Sequence, residues 1–70
     1  MNELEKLRVL IPHWIEHNEE HAGEYRRWAE DVNEVSADLL GAVEALKKVN
    51  QALGVALKKL GGETSHLHAG

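Results

Sequence analysis

Three histidines, His13, His17 and His21, recur at intervals of four, and Glu16, Glu20 and Glu24 each follow a histidine by three. The chain thus carries three successive His-x-x-Glu pairs. On a helix, side chains three and four apart share a face, so the pattern becomes a ladder of imidazoles and carboxylates. Imidazoles four apart can chelate one metal ion, and a neighbouring carboxylate can add a third donor. The densest cluster is His17, Glu20 and His21, with Glu24 one turn on and His13 one turn back. Such a donor set suits a borderline divalent transition ion such as nickel, cobalt or zinc. The three glutamates also repel one another at steps of four, a cost that a bound cation or protonated histidine would offset.

Other readings of the same residues stay open, among them ligation of haem or another ligand by the histidines. Asn18 and His21 fall on the apolar stripe of the helix described below, where an unpartnered polar group is costly. The alternative is a buried polar layer that fixes helix register, with His13 and the glutamates forming a solvated face. The segment His17-Asn18-Glu19-Glu20-His21 also matches the His-x-x-Glu-His pattern of inverted zinc peptidases. A chain of 70 residues offers no evident substrate cleft or distal third ligand, so the expectation is no enzyme and no catalytic residue.

The elements that must position this ladder follow from apolar spacing. Leu4, Leu7, Ile11, Trp14, Tyr25, Trp28, Val32 and Val35 fit alternating steps of three and four if Asn18 and His21 fill the gap. Leu10, Ile15, Ala22 and Ala29 widen the stripe, as on a helix facing more than one neighbour. The spacing predicts a first helix over about 3–32, with Asn2 as N-cap and Glu3 and Glu5 in its first turn. Pro12 removes one amide donor inside it, which predicts a kink or a split near Ile11. Asp31 to Ser36 supplies turn and cap residues, with Ser36 beginning a second helix over about 36–60. There Leu39, Ala42, Leu46, Val49, Leu53, Ala56 and Leu60 form a second stripe, widened by Val43 and Leu57. Lys58 and Lys59 suit its C-terminus, and Gly61-Gly62 ends it. Gly41 and Gly54 lie inside this helix, where either close helix approach or plain tolerance of glycine would explain them. Residues 63–70, with His66 and His68, read as a flexible tail.

Composition bounds the rest. A single domain of this length buries little of its own surface, and the absence of cysteine removes disulfides, thiolate metal sites and cysteine nucleophiles. Eight basic against twelve acidic side chains give a formal charge of -4, which disfavours nucleic acid and anionic membranes as partners. No apolar run approaches the roughly 20 residues that span a bilayer, and the amino terminus does not resemble a signal peptide. A cytoplasmic location is the expectation. Two long helices alone would leave half of each widened stripe in water, so the expected architecture is all-α: an antiparallel helical hairpin pairing with a second copy into a dimeric four-helix bundle.

The segment Pro12-His13-Trp14-Ile15-Glu16-His17-Asn18-Glu19-Glu20-His21-Ala22, followed by Tyr25 and Trp28-Ala29-Glu30, resembles a family of short uncharacterised prokaryotic helical proteins. That resemblance implies no activity. The likeness to hemerythrin-like and ferritin-like bundles is architectural only, since the di-iron proteins use Glu-x-x-His pairs and the order here is reversed. The expected function is divalent transition-metal binding for storage, sensing or delivery. The rival is a structural or protein-interaction dimerisation module that presents Trp14, Tyr25 and Trp28 and keeps its histidines as a buried polar layer.

Overall fold

A computed structural model of the chain describes residues 2–62. It comprises α1 over Glu3–Asp31, a single 3-10 turn over Asn33–Val35, and α2 over Ser36–Lys59. Arg8 bonds to Gly62 and Asn18 to Asn50, so early residues of α1 meet late residues of α2 and the helices run antiparallel. The expected hairpin is therefore present, and its tail 63–70 lies outside the described residues.

Local chemistry accounts for both ends of each helix. Asn2 has extended backbone geometry and its side-chain oxygen accepts the Glu5 N–H at 2.8 Å, which satisfies one of the orphan amides of the first turn. The helix then runs through Pro12 without interruption, which removes the split alternative. At the far end the Val32 N–H donates to the Trp28 carbonyl at 2.8 Å and the chain tightens into the 3-10 turn. Ser36 begins α2 as expected, without being its cap. It already has helical dihedrals, Val35 occupies the cap position, and no side chain bonds to the start of the helix. α2 stops in a Schellman arrangement: Gly62 N–H donates to the Leu57 carbonyl at 2.9 Å and Gly61 N–H to the Lys58 carbonyl at 3.1 Å. Both glycines have positive φ, 95° and 87°, a conformation that costs glycine little.

The packing seam differs in phase from the expected stripes. Only Ile11, Ala22, Ala29 and Val43 are fully buried among the described hydrophobic residues. On α1 the seam runs along Ile11, Ile15, Asn18, Ala22 and Ala29, while Trp14 and Trp28, expected at its centre, remain 41% and 56% exposed. On α2 it runs along Leu39, Val43, Leu46, Asn50, Leu53 and Leu57, and Val49 is left 45% exposed. Alanines at 22 and 29 give the reason: small side chains let the two axes approach, whereas tryptophan on the seam would hold them apart. The bulky residues are displaced to the flank.

Arg8 closes the open end of the hairpin. Its Nε donates to the Gly62 carbonyl at 2.8 Å in a half-buried setting, so the C-terminal turn of α2 is tied to the second turn of α1. Of the two explanations of Gly41 and Gly54, close approach fails within this chain, because a Cβ added at either meets nothing within 4 Å. Neither permits a close approach of the two helices. Gly41→Ala and Gly54→Ala should therefore each stabilise the fold by about 1 kcal/mol through helix propensity alone. Urea denaturation followed by circular dichroism checks this, and a loss of stability would show that one of these glycines is needed by a contact outside the hairpin.

Candidate functional site

The ladder is carried by the middle of α1, where an uninterrupted helix holds the donors at their expected spacing. All five expected metal ligands, His13, His17, Glu20, His21 and Glu24, are exposed. The rings of His13 and His17 lie edge to face with centroids 4.4 Å apart. His17 Nδ1 stands 3.8 Å from a Glu20 carboxylate oxygen, with both side chains more than half accessible. His21 stacks instead over Tyr25, at 6.2 Å between ring centroids. Adjacent members thus meet in pairs. Among the described residues, however, no group of three or more His, Asp or Glu side chains is gathered closely enough to hold a metal ion. Helical periodicity explains this, since each step of four residues turns the donors by about 40°, so His13 and His21 diverge.

The polar layer of the hairpin lies elsewhere. Asn18 is half-buried and its Nδ2 donates to Asn50 Oδ1 at 2.8 Å, while Asn50 Nδ2 donates to the Ile15 carbonyl at 3.2 Å. His21 takes no part in this layer: it lies on the flank of the seam in solvent, so a buried role for it within the hairpin is corrected. Asn18 is where the sequence places it, but its partner Asn50 lies outside the expected stripe, which runs through Val49. The signal that could have found it is the series Val43, Leu46, Asn50, Leu53, Leu57, whose steps alternate three and four with one polar member. Arg8 carried no comparable signal, because its acceptor is a backbone carbonyl of a turn.

An open groove of ≈ 630 Å³ borders this asparagine pair and is lined by residues that include Glu19, Arg26, Lys47 and Gln51. It occupies the opposite side of the hairpin from the histidines and contains none of them. Helical phase makes the division clear. At about 100° per residue, the groove residues of each helix lie on one side of the seam, and His17, His21, Trp14 and Trp28 lie on the other. Lys47 at the groove pairs with Glu44 at 3.2 Å and Lys6 with Glu3 at 3.6 Å in the first turn of α1; both pairs are exposed and contribute little.

The extent of the hairpin coincides with a known sequence family, whose pattern matches residues 7–60. The chain belongs to the family described as Domain of unknown function (DUF8180). The matched span runs from the second turn of α1 to the end of α2, so both the ladder and the asparagine pair fall inside the family domain. No curated protein and no solved structure matches the chain significantly.

The asparagine pair yields a direct expectation. Asn50→Leu strips the half-buried Asn18 amide of its acceptor and should cost about 1–2 kcal/mol. The double replacement Asn18→Leu with Asn50→Leu should recover most of that loss, since both polar groups leave together. Thermal denaturation of the two single variants and the double variant closes the cycle, and additive losses would show that the pair is not coupled.

Proposed function

We propose that this DUF8180 chain binds a divalent transition-metal ion such as nickel, cobalt or zinc on the exposed face of α1, in a storage, sensing or delivery role in the cytoplasm. The observation that carries the reading is the juxtaposition of His13 with His17 at 4.4 Å and of His17 with Glu20 at 3.8 Å on an accessible surface. His17 and His21 are the principal donors, with Glu20, Glu24 and His13 as neighbouring ones. Imidazole with carboxylate is the donor chemistry these ions prefer where thiolate is absent. The ligands sit outside the packing seam, so the hairpin does not need the metal to fold. No reaction is assigned to the site.

A second reading is favoured by the exposed tryptophans. Trp14 and Trp28 on one flank, with Leu10 40% exposed beside them, form the kind of surface that engages another protein chain. On this reading the chain is a homo-oligomeric interaction module, and its metal affinity would be incidental.

Calorimetric titration of the chelator-treated full chain with nickel and zinc separates the two. A variant with His66→Ala and His68→Ala serves as the background, so that tail histidines cannot supply the signal. Micromolar or tighter binding is expected, weakened at least tenfold by His17→Ala with His21→Ala. Helix content by circular dichroism should not change, because both side chains are exposed. Unaltered affinity in that double variant overturns the assignment of the ligands.

A further inference from the structure

The flank of α1 that carries the histidines is complementary to itself. Trp14, His17, His21, Tyr25 and Trp28 follow at steps of three, four, four and three, a spacing that reads the same in both directions about His21. At about 100° per residue these five fall within an arc of about 80°, centred about 90° from the seam with α2. Between Trp14 and Trp28 that arc holds no carboxylate, lysine or arginine. Helix α2 meets the same symmetry. Asn18 bonds to Asn50, so in an antiparallel hairpin His21, three residues on from Asn18, stands level with Lys47, three residues back from Asn50. A two-fold axis at that level sets Ala45 of one copy opposite Val49 of the other, and Ala42 opposite Ala52. By helical phase all four lie on the side of α2 away from the groove. Val49 is exposed there, and the alanines let two such helices close with no charge between them.

We infer that a second copy of this chain docks on this flank with its α1 antiparallel about His21, and that each copy completes the other's metal site, His17 and His21 of one chain being joined by Glu24 of the other. Two equivalent sites result, one per chain, each with two imidazoles and a carboxylate. An isologous contact demands a surface complementary to itself, and in this register Trp14 of each copy opposes Trp28 of the other. This deepens the metal-binding reading and rests on it.

Helix geometry gives the pairing of donors. His17 lies about 6 Å from His21 in one direction along the axis and Glu24 about 4.5 Å in the other. Both stand on the same edge of the contact, about 40° and 60° from its centre. A two-fold rotation reverses height and preserves the edge, so Glu24 of the other copy arrives within about 1.5 Å of the level of His17. The two His17 residues themselves stay about 12 Å apart along the helix and belong to separate sites. Charge favours the same pairing: Glu24 is crowded by Glu20 one turn back, and docking sets it against the imidazoles and cation of the other chain. Glu20 already stands 3.8 Å from His17 as a further donor. A single chain brings no three such groups together among its described residues, and the second copy supplies the one that is missing.

Complementation between two variants tests the sharing. Zinc titration of the full chain carrying His66→Ala and His68→Ala, with mass followed by sedimentation, should give a dimer that takes up one ion per chain. His17→Ala and Glu24→Gln, each added to that background, should each weaken binding by about 10–100-fold, the loss that follows even when a group that merely orients a ligand is removed. Unfolded together in urea and refolded, these two variants form mixed dimers in which His17 and His21 of one chain meet the intact Glu24 of the other. Tight zinc binding that neither variant shows alone should then return. Refolding His17→Ala with His21→Ala should restore nothing, because both imidazoles of a site come from one chain. Failure of the first mixture to recover, or a monomer at zinc saturation, overturns the shared site and leaves metal binding standing. Recovery in the second mixture overturns this division of the donors. Absence of zinc uptake by the starting chain overturns both readings.

Discussion

A helix buries only the arc that faces a neighbour, and in this hairpin each helix has one neighbour. The seam is made narrow by Ala22 and Ala29, which allow the axes to approach and leave no room for tryptophan. With Ile11 and Val43 they form the fully buried core of the described residues. Several larger residues of α1 are turned outward: Trp14, Trp28, Leu7 and Leu10 all retain more than a third of their surface in solvent. The position of the histidines on that same flank is a consequence of the same constraint, since helical phase ties His17 and His21 to the tryptophans on either side.

Polar contacts compensate for the small core by fixing alignment rather than by adding much net energy. The Asn18 and Asn50 pair crosses the middle of the seam, and Arg8 holds the Gly62 carbonyl at its open end. A slide of one helix along the other would separate both sets of partners and leave half-buried amides unsatisfied, which is costly. The apolar seam by contrast tolerates small shifts, because alanine offers little shape to interlock. Register therefore depends on the amides, while the attraction between helices depends on burial.

This division separates the fold from the surface that could act. The imidazoles and carboxylates of the ladder lie outside the packing seam, and Trp14 and Trp28 are only partly covered by the hairpin. Membership of the DUF8180 family sets the domain limits of this arrangement and leaves its chemistry to be read from these side chains.

Periodicity, caps and composition were enough to place two helices, their reversal near residue 32, the Asn2 cap and the glycine stop, because these follow from interactions within a few residues along the chain. The donor ladder was legible for the same reason: spacing on a helix is a local property. The phase of the seam was not. Sequence put Trp14, Trp28, His21 and Val49 toward the partner helix, since hydrophobicity marks a broad stripe without saying which edge of it meets the neighbour. Only packing decided that, by setting the small residues of α1 against α2. The pairing of Asn18 with Asn50 and of Arg8 with the Gly62 carbonyl likewise depended on how two distant segments align, and no local rule encodes an alignment between segments thirty or more residues apart.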